Sequence, residues 1–268
     1  MTKQPFWIFG ILIVILVSSC KNRGVGFDDS EKISEGWIRI FNDEDLSNWK
    51  VKIKGYPLDE NFGKTFRVED GVLKVEYEDY EKFDNRFGHL FYEVPFSSYK
   101  LKLTYRFTGV QVSGGQPWAT KNSGVMIHCQ SPESMGIDQE FPVSLEVQLL
   151  GGIDQSQKRP TANLCTPGTH VKMSDTLIEE HCIDSSSKTV YDDSWVDLEL
   201  EVYGDSLVIH KIDGIEVLRY SKPTYGGEYN VLKDKEGQAV TSGYIALQSE
   251  SHPIEFKNIK ILDLNPKD

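Results

Sequence analysis

Apolar and polar residues alternate along most of this chain with a period of two, the pattern of β-strands with one buried face. In SYKLKLTYRF (98–107), Leu101, Leu103, Tyr105 and Phe107 share one parity. GWIRIF (36–41), HLFYEV (89–94), NSGVMIHCQ (122–130), SLEVQLL (144–150), GYIALQS (243–249) and PIEFKNIKILD (253–263) read as further strands. TFRVEDGVLKVEY (65–77) reads as a hairpin turning at Asp70-Gly71. Residues 195–220 read as three strands joined at Gly204-Asp205 and Asp213-Gly214. No long stretch has a helical period and no repeat is visible. The expectation is an all-β sandwich.

Three strands carry a second face of polar and aromatic residues. In SLEVQLL, Ser144, Glu146 and Gln148 lie opposite Leu145, Val147 and Leu149. In NSGVMIHCQ, Met126, His128 and Gln130 share a face. In GYIALQSE, Gln248 and Glu250 share a face with Tyr244 and Ala246. If these strands adjoin, the polar faces make one cleft. Carboxylates suit proton transfer, and Gln amides fix sugar hydroxyls with a donor and an acceptor. Trp118 and Tyr244 can stack on sugar faces, although core packing is the commoner use of such residues. For any one of these residues, the plainer alternative is a solvated, ion-paired or hydrogen-bonded structural role. The segment from Gly151 to Asp193 is poorly patterned and reads as a long loop, within which His181 is a further candidate.

The N-terminus changes the setting. Lys3, the apolar run Phe6 to Val17 and then Ser18-Ser19-Cys20 describe a signal peptide (1–19) ending in a bacterial lipobox. Cys20 is then the lipidated residue, 20–33 a flexible tether, and 34–268 the exported domain. A plain signal peptide or a membrane anchor is the alternative. The implied address is the periplasmic or outer-surface face of a membrane. An oxidising compartment favours a disulfide, and Cys165 and Cys182, both in loop-like sequence, are the expected pair. Cys129 then remains a buried thiol. The CxxC spacings of structural zinc are absent. The chain has 268 residues and a formal charge of −12, which gives no support for nucleic-acid binding. No nucleophile elbow, HExxH helix, phosphate loop or dinucleotide fingerprint is present.

In this order, WIRIFNDEDLSNW (37–49), FRVEDGVL (66–73), NSGVMIH (122–128), SLEVQLLGG (144–152), residues 195–220 and GYIALQSESHPIEFKNIKIL (243–262) resemble the 3-keto-disaccharide hydrolase domain family. The chain departs from the family pattern at Gly151, where an acidic residue is more usual. The resemblance implies a concanavalin A-like jelly roll of two antiparallel sheets. It also implies a saccharide substrate whose C3 hydroxyl a separate oxidoreductase has turned into a ketone. Such a ketone acidifies the C2 hydrogen, so a base can start an elimination that water then completes. On this expectation Glu146, His128 and His181 serve catalysis. Gln148, Gln248, Glu250 and Gln130 bind the sugar. The cofactor is unknown; a divalent metal is one way to polarise the ketone. The alternatives are a conventional glycoside hydrolase and a non-catalytic glycan-binding lipoprotein.

Overall fold

Alternation of this kind needs partner strands, and seventeen are found among the described residues. In a computed structural model, residues 1–2 and 36–265 are described. The leader, the tether and Cys20 lie outside them, Met1 and Thr2 aside. The strands are β1 (Trp37–Arg39), β2 (Trp49–Ile53), β3 (Phe66–Glu69), β4 (Val72–Val75), β5 (Gly88–Tyr92) and β6 (Ser98–Phe107). Then come β7 (Asn122–Cys129), β8 (Leu145–Leu150), β9 (Asn163–Cys165), β10 (Thr169–Met173), β11 (Thr176–Ile178) and β12 (Cys182–Ile183). The last are β13 (Val196–Tyr203), β14 (Leu207–Ile212), β15 (Ile215–Tyr225), β16 (Tyr244–Ser249) and β17 (Ile254–Asp263). Among the described residues there is no α-helix, only short 3-10 turns.

The strands form two antiparallel sheets. One has seven strands in the order β12-β9-β8-β7-β16-β5-β2. The other has ten, in the order β11-β10-β15-β14-β13-β6-β17-β4-β3, with β1 beside β17. The fold is the all-β, jelly-roll sandwich that the alternation and the family resemblance led us to expect. Turn chemistry sets the hairpins. Asp70 and Gly71 both take positive φ, at 53° and 75°, which a two-residue turn between right-twisted strands requires.

The apolar parities meet between the sheets. Val125, Ile127, Leu145, Val147, Leu149, Ile245 and Leu247 pack from one side, and Leu101, Leu103, Leu198, Leu200, Phe256 and Ile261 from the other. Each such side chain removed from water contributes about 1.5–3 kcal/mol before entropy is counted. One expectation fails here. The segment 151–193 is not a bare loop, because β9 to β12 extend both sheets from it. Cys165 and Cys182 stand directly opposite in register and are joined by a disulfide, as expected. Cys129 is a buried free thiol.

Candidate active site

The outer face of the seven-stranded sheet is built by register. Glu146 on β8 lies opposite Met126 on β7, and Met126 lies opposite Ala246 on β16. Gln248 on β16 lies opposite His89 on β5, and His89 lies opposite Lys52 on β2. On the other side, Gln148 faces Asn163 and Glu146 faces Cys165. Opposed residues in an antiparallel pair point to the same face. The structure therefore gathers Glu146, Gln148, Gln248, His89 and Lys52 on one surface.

Gly124 makes their approach possible. A Cβ there would sit 2.9 Å from Glu146 Cγ and Oε1 and 3.0 Å from Gln248 Oε1. Both long side chains thus converge over the bare glycine. Glu146, Gln248, His89 and Glu250 are all buried. Both side-chain polar atoms of Gln248, both ring nitrogens of His89 and Oε2 of Glu250 lack partners. Such groups are costly to bury unpaired, and native proteins seldom do so without a reason.

Burial raises the Glu146 pKa, and no neighbouring donor or cation offsets it. Glu250 is raised further, first by burial and then by the Glu146 charge nearby. Two carboxylates that interact this way share protons, so one holds a proton more readily while the other ionises. His89 moves the other way. Burial, and then the Lys52 charge, push it down to about 3, so its imidazole is neutral. The Lys52 ammonium donates to the carbonyl of Tyr56 at 2.9 Å.

Several expected site residues lie elsewhere. His128 does not join Glu146. A bulge in β7 sets Cys129, not His128, opposite Tyr244, and His128 takes φ 50°. Its ring turns between the sheets, where Nε2 meets the Gly204 carbonyl at 3.0 Å and the ring packs edge-on to Tyr99. Gly243 permits the kink, since a Cβ there would lie 2.4 Å from the His128 carbonyl carbon. The Gln130 side chain is occupied by its own loop: it accepts from Val143 N and Gln139 Nε2 and donates to Ser134 Oγ. His181 precedes edge strand β12, two strands from β8, and its ring packs against Tyr229 at 5.0 Å. Gln148 is on the face with Glu146 and accepts from Asn163 Nδ2 at 3.2 Å. Tyr244 joins a small apolar cluster with Phe91, Met126, Cys129, Met135 and Ala246. Among the described residues, no group of three or more His, Cys, Asp or Glu side chains is placed to hold a metal ion.

Sequence reasoning missed His89, Lys52 and Gly124. The signal for His89 was its parity in GHLFY, where it opposes Leu90 and matches Phe91.

Comparison with known proteins identifies the family. The sequence profile of the 3-keto-alpha-glucoside-1,2-lyase-like domain matches residues 36–262. Two crystal structures of "putative glycosyl hydrolase" proteins from Parabacteroides distasonis share the fold. One is 19% identical, with a TM-score of 0.51 over 86% of this chain and 95% of that one. The other is 15% identical, with a TM-score of 0.52 over 85% of this chain and 99% of that one. No curated protein matches the sequence. With the profile spanning nearly all of the described sandwich, the chain belongs to the 3-keto-alpha-glucoside-1,2-lyase-like domain family, a family of carbohydrate-active hydrolases.

Proposed function

We propose that the domain cleaves glycosides carrying a ketone at C3, by elimination and then hydration. The observation that carries this reading is the buried Glu146–Glu250 pair beside an unpartnered Gln248 and a neutral, unpartnered His89. An ionised Glu146 takes the C2 proton. The electron pair moves to the C3 oxygen, and an enolate forms. A neutral imidazole N–H on His89 and the Gln248 amide are donors suited to that oxygen; neutral imidazole serves as an electrophile in other enzymes. The C1–O bond then breaks, and the departing oxygen takes a proton from the Glu250 carboxylic acid. Glu250 had been expected only to bind sugar; its raised pKa suits it to this donor role. Hydration runs in reverse. Glu250 takes a proton from the water that adds to C1, and Glu146 returns its proton to C2. The net reaction is hydrolysis. The substrate implies a separate oxidoreductase that oxidises C3.

The same pair favours a second reading, a conventional glycosidase, which also needs two carboxylates about one bond. One experiment separates them. The purified protein is given a 3-keto glycoside and its unoxidised parent, with and without chelator, and aglycone release is followed. Release from the keto form alone, lowered about 10²–10⁴-fold in Glu146→Gln, is the expected result. Equal release from both selects the glycosidase. Full turnover by Glu146→Gln overturns the assignment of the base. Chelator resistance is expected, since each step is assigned to a side chain.

A further inference from the structure

Beyond the buried face, Trp118 stands half exposed, at 52%. A tryptophan ring carries a large apolar area, and leaving it in water forgoes that burial. The ring is not loose. It stacks on Phe87 at an interplanar angle of 10°, with centroids 6.0 Å apart. Phe87 directly precedes Gly88, which is paired with Ser249 in the register of β5 and β16. The loop that carries Trp118 is fastened to Ser251. Gln111 Nε2 donates to Ser251 Oγ at 2.8 Å, and Val112 N donates to the Ser251 carbonyl at 3.0 Å. Thr120 Oγ1 then donates to Gln111 Oε1 at 2.7 Å, and Gln111 Nε2 donates to the Gln116 carbonyl at 2.8 Å. Arg159 Nη2 reaches the Trp118 carbonyl at 3.4 Å. Both attachments, through Phe87 and through Ser251, tie the platform to the end of β16 that carries Gln248 and leads into Glu250.

We propose that Trp118 is the stacking platform for the leaving sugar, on the far side of the scissile bond from Glu146. The placement follows from exposure and order. The keto ring belongs over Gly124, where Glu146 and Gln248 converge and are buried. Glu250 serves the departing oxygen. The next position outward is tied to Ser251, and there the Trp118 side chain stands half exposed. Pyranose rings present a flat face of C–H groups, for which an aromatic face with one side free is the natural counterpart. Phe87 backs the ring and Pro117 starts the turn that carries it, so little ordering is required on binding. The specificity expected is for a disaccharide, or a glycoside with a cyclic aglycone, over one with a small leaving group.

This inference rests on the cleavage reading, and the test separates the two. Trp118→Ala and Trp118→Phe are compared with the parent protein on a 3-keto disaccharide and on a methyl 3-keto glycoside. Trp118→Ala is expected to raise KM for the disaccharide about tenfold, with kcat and the methyl substrate unchanged. Trp118→Phe restores most of the affinity. Equal KM in Trp118→Ala and the parent, or an equal loss on both substrates, overturns the platform. A calorimetric titration with the unoxidised disaccharide needs no turnover. Weaker binding to Trp118→Ala is expected there, and equal binding also overturns the proposal. Absence of turnover by the parent protein counts against the cleavage reading alone.

Discussion

On the outer face of the ten-stranded sheet, Glu199, Glu201 and Glu255 each stand opposite a lysine or arginine. On the outer face of the seven-stranded sheet, Glu146 stands opposite Met126 and Cys165. In the first sheet the pairs are in register: Glu199 with Lys102 at 2.7 Å, Glu201 with Lys100 at 3.4 Å, and Glu255 with Arg106 at 2.7 Å. Trp195 lies between Arg106 and Lys257 on the same face. The pKa shifts follow suit. Hydrogen bonds from Lys211 and then the Tyr203 hydroxyl hold Glu201 down to about 2. Burial drives Glu146 and Glu250 the other way. One residue type on one kind of scaffold is an ion-paired ladder on one sheet and, on the other, a buried pair that no cation offsets. The ladder asks nothing of a ligand. The pair gives up stability that only a function would justify.

The comparison can be broken at several places. After loss of the Glu146 carboxylate itself, the largest effect is expected at Gly124. Gly124→Ala meets no backbone strain, but its methyl displaces Glu146 and Gln248. Activity on the 3-keto glycoside should fall about 100-fold, as misplacement of reacting groups commonly does. The melting temperature should move by only a few degrees. Wild-type rates in this variant would mean that the two side chains need not meet over the glycine. The smallest effect is expected on the ladder. Lys102→Ala should lower unfolding free energy by less than about 1 kcal/mol, and less again in high salt, because exposed pairs are weak and screened. A loss of several kcal/mol would put structural weight on the ladder that the comparison denies it.

Much of the fold was legible because alternation is local. Leu145, Val147 and Leu149 announce a buried face within six residues, and Asp70-Gly71 announces its own turn. The site was only half legible. Parity correctly put Glu146 with Gln148, since both lie on one strand. It could not say that β5 pairs with β16, because strand adjacency is decided by tertiary pairing across long stretches of chain. His89 was therefore overlooked. His128 was misplaced because one extra residue reverses parity, and a bulge leaves no reliable mark in sequence; the glycine at 243 that accommodates it looks like any turn glycine. β9 to β12 have two to five residues each, too few to show a period.

The central claim is that the seven-stranded sheet buries carboxylates without compensation, and the pH dependence of stability tests it most directly. A carboxylate whose pKa is higher folded than unfolded keeps its proton longer in the native state. Stability then falls as pH rises from about the ordinary 4.5 toward the raised native value. Glu146→Gln has no such proton to lose. Its unfolding free energy, measured by denaturant titration at pH 4 to 8 and compared with the parent, should gain steadily on the parent with rising pH, by on the order of 3 kcal/mol. A difference that stays flat, or that shrinks as pH rises, would show Glu146 to be as well compensated as Glu201 and would contradict the account.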